Sequence, residues 1–132
     1  MKTEIHITDG SSDLYLSVEE VDDEAIAGDH GSRELVARFE NTDWGYAGVC
    51  ELIVRNSEWA AFTTALRQLF ETLKGGAVIA DDGSRIEFKS TNALGAIGVA
   101  GTLSIGTLSL QFDPIGIDSV DFEGIVKKIE AA

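Results

Sequence analysis

Apolar and polar residues alternate along four segments of the first 54 residues, a pattern typical of strands with one buried face. The predicted strands span residues 2–7, 13–19, 34–40 and 44–54. The side chains predicted to face the core are Ile5, Ile7, Leu14, Leu16, Val18, Leu35, Ala37, Phe39, Cys50, Leu52 and Val54. The polar segments at residues 9–12 and 41–43 predict turns between them.

After residue 55 the apolar spacing becomes helical. Six large side chains recur within one arc of about 100°, which predicts an amphipathic helix buried on that face. These side chains are Trp59, Phe62, Leu66, Leu69, Phe70 and Leu73. We expect Asn56 or Ser57 to cap the helix, and Gly75-Gly76 to end it.

The second half of the chain predicts two hairpins and a last helix. Asp82-Gly83 separates the apolar runs 77–80 and 85–89, and a two-residue Asp-Gly step is a strong hairpin signal. Residues 95–105 and 108–112 form a second predicted hairpin, which Pro114 should end because proline cannot donate to a strand ladder. A short helix is predicted from Asp118 or Ser119.

The predicted order is therefore four strands, a long helix, about four strands and a short C-terminal helix. Strands that follow one another without helices between them favour antiparallel pairing. We predict an α+β fold with an antiparallel sheet of about eight strands packed on the helices. A length of 132 residues predicts a single domain spanning residues 1–132.

Charge is divided unevenly along the chain, which has a formal net charge of −13. The first 51 residues hold 13 acidic residues against three basic ones, and the rest hold ten against seven. Residues 20–33 are predicted to form a solvated acidic loop. A strongly acidic surface repels phosphates and anionic lipids, so nucleic-acid and membrane partners are not expected. The charge favours a basic protein partner, or solubility alone.

Sequence motifs offer no catalytic residue, no metal site and no cofactor. The acids of the 20–33 loop do not have the spacing of a calcium loop, and Gly95, Gly98 and Gly101 lack the pattern of a phosphate loop. We expect these glycines to mark bulges or close packing of strands. Cys50 is expected to be a buried, inert thiol. The chain shows no signal peptide and no membrane span, which predicts a cytoplasmic location.

Exposed aromatics beside acidic residues suit a protein interface, whereas Trp44 and Tyr46 could also cover the edge of the core. The predicted partner-binding residues are Asp22, Asp23, Glu24, Asp29, Glu40, Asp43, Trp44 and Tyr46. We expect a monomer or a weak homodimer.

Three stretches resemble the WapI-type bacterial immunity proteins. They are the helix from Trp59-Ala-Ala-Phe62 to Gly75-Gly76-Ala77, the run from Gly95 to Leu103, and Leu108-x-Leu110-x-Phe112-Asp113 followed by Asp118. The resemblance implies a non-enzymatic protein that neutralises a basic, nuclease-type toxin through its acidic surface. The alternatives are a small-ligand-binding or scaffolding domain without a toxin partner, and a hydrolase that uses acidic residues.

Overall fold

The computed structural model describes residues 2–21, 31–81, 83–91 and 96–132, with the side chain of Tyr46 outside the description. Within these residues, eight strands and two helices follow one another in the predicted order. They are β1 (Lys2–Thr8), β2 (Ser12–Val21), β3 (Ser32–Asn41), β4 (Tyr46–Arg55), α1 (Asn56–Thr72), β5 (Gly76–Asp81), β6 (Ser84–Ser90), β7 (Ile97–Ile105), β8 (Leu108–Ile117) and α2 (Ser119–Ala131). The predicted α+β class is confirmed.

The eight strands form two sheets. The first sheet has the order β1-β2-β3-β4 and the second the order β5-β6-β7-β8, and every neighbouring pair is antiparallel. Each sheet is followed by one helix, so the chain repeats a unit of four strands and a helix.

Alternation along the strands buries one face of each sheet. The inward residues of the first four strands are those predicted from the sequence, and all are buried. Phe39 of the first sheet stacks on Phe112 of the second, with ring centroids 4.6 Å apart. Phe88 of the second sheet meets Phe62 of α1 and Phe122 of α2 at 6.0 and 6.4 Å. One core therefore joins both sheets to both helices.

The ends of α1 differ from the prediction. Arg55 is the N-cap and makes no side-chain cap bond, and Asn56 already belongs to the helix. The Asn56 side chain instead accepts a hydrogen bond from the guanidinium of Arg33. At the other end Leu73 takes the left-handed conformation, with φ of 57°, and is exposed rather than part of the buried stripe. Its N–H donates to the Leu69 carbonyl, which closes the last turn before the two glycines.

The predicted bounds of the acidic loop and the predicted end of the last strand are also wrong. The acidic segment is shorter than expected, because β2 continues to Val21 and β3 begins at Ser32. Pro114 does not end β8, which continues to Ile117. Proline is tolerated there because β8 is an edge strand, so one side of its backbone needs no partner. Opposite this part of β8, the register with β7 shifts between Val99 and Gly101.

Glycine is required at Gly101, where the register shifts. A Cβ at this position would lie 2.4 Å from the Arg85 carbonyl oxygen and 2.9 Å from the Phe112 ring. The expectation that this glycine marks a bulge or close packing is confirmed. Among the described residues, no helix is long and apolar enough to cross a membrane.

Candidate functional site

A row of side chains crosses the outer face of the first sheet. His6 of β1 lies opposite Tyr15 of β2, Tyr15 lies opposite Arg38 of β3, and Arg38 lies opposite Val49 of β4. All four occupy the strand positions that alternate with core residues, so their side chains project outward. Antiparallel register therefore brings His6 next to Tyr15, 9 positions away in the sequence, and Tyr15 next to Arg38, 23 positions away.

Three of these side chains form a stack. The rings of His6 and Tyr15 are 4.4 Å apart and lie within 5° of parallel. The guanidinium carbon of Arg38 lies 4.3 Å from the centroid of the Tyr15 ring. Because β2 lies between β1 and β3, His6 and Arg38 cover opposite faces of Tyr15. Tyr15 is therefore covered on both faces, whereas the His6 and Arg38 side chains are 46% and 49% exposed.

Two carboxylates on the next row hold the ends of the stack. Asp13 Oδ1 lies 2.7 Å from His6 Nε2, and Glu40 Oε1 lies 3.6 Å from Arg38 Nε. Asp13 and Glu40 face each other across β2 and β3. The hydrogen bond from His6 lowers the pKa of the Asp13 carboxyl, against a smaller opposing effect of burial. The His6 ring, with 46% of its side chain exposed, is oriented by this contact.

A surface cavity of about 520 Å³ surrounds the stack, and we call it the stack cavity. Its lining holds three cations, Lys2, Arg38 and Lys128, against one carboxylate, Glu4. It also holds the His6 and Tyr15 rings and the apolar side chains of Val36 and Val49. In a chain with a net charge of −13, this lining is cationic. An anionic ligand that carries a flat ring matches both features.

A second groove of about 310 Å³ lies between β1 and α2. Ile5, His6 and Lys128 line both this groove and the stack cavity, so the two adjoin at β1. Lys128 reaches the cavity from α2, whose last turns lie against the first sheet. The two helices are tied to each other by a two-point ion pair between Arg67 of α1 and Glu130 of α2.

The predicted partner-binding residues do not form this site. Asp22, Asp23, Glu24 and Asp29 lie outside the described residues, as does the Tyr46 side chain. Asp43 and Trp44 lie in the turn between β3 and β4, where Trp44 is 80% exposed and does not cover the core. Glu40 alone among the described members contacts the stack, through Arg38.

The side chains of the stack were missed by sequence reasoning. The alternation placed His6 and Tyr15 correctly on the solvent side of their strands, and this was the available signal. It could not show that they face each other, because the register of β1 on β2 depends on the turn between them.

No catalytic or metal centre emerges elsewhere in the described part of the chain. No three His, Cys, Asp or Glu side chains come together as metal ligands there. Cys50 is buried, and burial raises the pKa of its thiol, with the Ser84 hydroxyl at 3.5 Å from the sulfur. A thiol with a raised pKa is a poor nucleophile, so Cys50 contributes to the core.

Comparison with known proteins identifies the fold. No protein-family model and no curated protein matches the chain. The plant transcriptional regulator PBF-2 is similar in structure, with a TM-score of 0.56 and 12% identity over 99% of this chain and 80% of its own. WHY1 from Arabidopsis thaliana gives a TM-score of 0.58, with 12% identity over 99% of this chain and 88% of its own.

These neighbours overturn the functional interpretation made from the sequence. They include a transcriptional regulator and no toxin-immunity protein, so the interpretation as a toxin-neutralising protein with a basic partner is wrong. The exclusion of nucleic acid is wrong for the same reason, and the small-ligand or scaffolding alternative has no support. The sequence showed an acidic excess in the first 51 residues, but it could not show that Lys2, Arg38 and Lys128 come together around the stack cavity. The resemblance to WapI-type proteins stays a prediction.

Proposed function

We propose that the chain is a non-enzymatic, cytoplasmic domain that binds single-stranded nucleic acid on the outer face of its first sheet. The observation that carries the proposal is the His6–Tyr15–Arg38 stack inside a cationic cavity. Aromatic rings and guanidinium groups provide stacking surfaces for bases, and cations nearby contact the phosphates. Both kinds of group line the stack cavity, at the ends of a stack that is already ordered.

Single strands fit this surface better than duplexes. The exposed side chains of His6 and Arg38 can stack on a base only when that base is unstacked from its neighbours. A duplex would present mainly phosphates, and the face around the cavity carries carboxylates that repel them. The outward acids of the first sheet are Glu4, Asp13, Glu19, Glu34, Glu40 and Glu51. Recognition therefore depends on bases more than on phosphates.

The likeness in fold supports a regulatory role. PBF-2 is a plant transcriptional regulator, and regulators of transcription commonly act on nucleic acid. We include such a role in the proposal on that basis.

The experiment compares two arginines that differ chiefly in location. Arg38 and Arg85 are both exposed on strands, at 49% and 57%, and each pairs with the glutamate two residues later. Arg38→Ala and Arg85→Ala therefore remove the same charge and the same kind of ion pair. Binding of a fluorescein-labelled single-stranded DNA of about 12 nucleotides is followed by anisotropy.

We expect Arg38→Ala to weaken binding about tenfold, the loss of one charge-assisted contact. Arg85→Ala should change the dissociation constant by less than about twofold, because Arg85 does not line the stack cavity and exposed charges away from the site are screened by salt. Equal effects of the two substitutions would move the site away from the stack. Absence of binding to the unaltered protein would refute the proposed function.

A further inference from the structure

His6 belongs to the stack and also lies where the stack cavity adjoins the second groove. Its side chain is 46% exposed, stacks on Tyr15 and contacts Asp13. Histidine is the side-chain type whose charge changes between about pH 5 and pH 8. The proposed binding site therefore contains a group whose charge depends on pH within this range.

The contact with Asp13 determines which nitrogen of the His6 ring takes up a proton. An ionised carboxylate only accepts hydrogen bonds, so the neutral ring must donate its Nε2–H to Asp13 Oδ1, 2.7 Å away. The second ring nitrogen, Nδ1, is then the atom that is protonated when the ring becomes an imidazolium. Protonation leaves the hydrogen bond to Asp13 in place. It also keeps the stack, because a cation is attracted to the face of the Tyr15 ring.

The charged groups that surround His6 in the described part of the chain balance one another while the ring is neutral. They are Lys2 and Glu4 from β1, Asp13 and the titratable phenol of Tyr15 from β2, Arg38 from β3 across the Tyr15 ring, and Asp121 and Lys128 from α2. From β8, the groove is lined by the apolar Ile117. Three cations thus meet three carboxylates, and an imidazolium makes the surroundings of the ring net positive.

A phosphate beside His6 is attracted to the ring only when the ring is charged. Lys128 lines both cavities together with His6, so a phosphate that is bound by Lys128 lies near the imidazole. The phosphate favours the imidazolium and the imidazolium favours the phosphate, because each effect is the reciprocal of the other. The protonated fraction of the ring rises as pH falls, so binding at this position strengthens in the same direction.

We propose that His6 is a proton-dependent phosphate contact of the site, through which nucleic acid binds more tightly as pH falls from about 8 to about 5.5. One proton passes from the solvent to Nδ1, and the ligand itself is chemically unchanged. The inference rests on the proposed function and adds to it a regulation of affinity by pH.

The experiment uses the two histidines of the chain. His6→Phe removes the proton site and keeps a ring that can stack on Tyr15, and His30→Phe is the matched control. Isothermal titration calorimetry measures the dissociation constant of an unlabelled oligothymidylate of about 12 nucleotides between about pH 5.5 and pH 8. Thymine keeps the same charge throughout this range. Titrations in two buffers that differ in ionisation enthalpy measure the protons taken up on binding.

We expect the unaltered protein and His30→Phe to bind about two- to fivefold more tightly at the acid end of the range, the change expected for one exposed charge contact. Both should take up protons on binding. His6→Phe should bind with the same affinity at both ends and take up none. Asp13→Asn should move the rise in affinity to lower pH, because it removes the anion that stabilises the imidazolium.

Three results would overturn the inference. They are an unaltered protein whose affinity does not change with pH, a His6→Phe protein that keeps the pH dependence, or a His30→Phe protein that loses it. Each of these leaves binding at the stack cavity intact. The absence of binding at every pH would instead refute the proposed function and the inference together.

Discussion

The stacked side chains on the first sheet offer surfaces for bases and are held in place by contacts with their neighbours. The Tyr15 ring is covered on both faces, and the partners that cover it are each held by a carboxylate. Because the rings are ordered before a ligand arrives, less side-chain entropy is lost on binding than with free rings. The contact between His6 and Asp13 is the shortest of these restraints, at 2.7 Å.

Asp13→Asn tests that contact through the pH dependence of stability. The His6 hydrogen bond lowers the folded-state pKa of Asp13 below its unfolded value of about 3.9. Ionised Asp13 therefore stabilises the fold above about pH 4, and this contribution is lost as pH falls through the folded-state pKa. In urea unfolding between pH 2 and 7, the variant should be less stable near pH 6 by no more than about 1 kcal/mol.

The same difference should shrink toward zero at the acid end of the range. Asp43→Asn, in the exposed turn after β3, is the control for removing one negative charge. A deficit for Asp13→Asn that stays constant down to pH 2 would contradict a role for its ionisation.

At the scale of the elements, each unit of four strands and a helix gains its stability mainly from packing. The long helix α1 begins without a side-chain cap, and a leucine in the left-handed conformation ends it. It persists because Trp59, Phe62, Leu66 and Leu69 are buried. The shorter helix α2 has Gly124 in its interior and depends more on its cap, where Asp118 accepts a hydrogen bond from the Asp121 N–H.

Asp118→Ala should accordingly destabilise the protein by about 1 kcal/mol, the usual contribution of a helix N-cap. Asp118→Asn keeps an acceptor oxygen at the same place and should retain most of that stability. Urea unfolding monitored by circular dichroism measures both. Equal losses in the two variants would show that the charge at the helix end matters and the hydrogen bond does not.

In the whole molecule, the uneven distribution of charge along the chain becomes an uneven distribution of charge over the surface. Residues 2–21 and 31–55 form the first sheet, so the acidic part of the sequence and the stack cavity share one side of the fold. A nucleic-acid strand would approach a protein with a net charge of −13 that carries one small cationic site on its surface. Long-range repulsion then opposes the local attraction, and it does so most strongly at low salt.

The salt dependence of binding should therefore be shallow. Each phosphate neutralised on a single strand contributes about −0.7 to the slope of log K against log salt. Three cations in the stack cavity set a limit of about −2, and repulsion from the acidic surface makes the slope shallower still. Anisotropy titrations between about 20 and 300 mM salt measure it. A slope steeper than −2 would place the phosphates on cations outside the cavity.

Most of the fold could be predicted from periodicity. The strand residues of the first sheet and the start of α2 at Asp118 agree with the structure. On α1 the predicted face is buried from Trp59 to Leu69, whereas Leu73 is exposed. Helix caps and strand ends were less predictable. The Asn56 side chain accepts a hydrogen bond from Arg33 and does not cap α1, and Pro114 is accommodated within β8 because β8 is an edge strand. Both outcomes depend on contacts far away in the sequence.

The candidate site was hardly predictable at all. Of the residues proposed from charge and exposure, Glu40 contacts the stack, whereas Asp43 and Trp44 lie in a turn away from it. Exposure of single residues could be inferred from alternation, but adjacency across three strands could not.

By itself, the sequence determined which side chains are buried and which face solvent, because burial follows the period of each strand and helix. It also determined the overall acidity. Tertiary structure alone decided that the strands divide into two sheets, and that His6, Tyr15 and Arg38 meet. It also placed Lys128 beside them from the last helix. The physical reason is that period is a local property of the chain, whereas register and packing are set by contacts between distant segments.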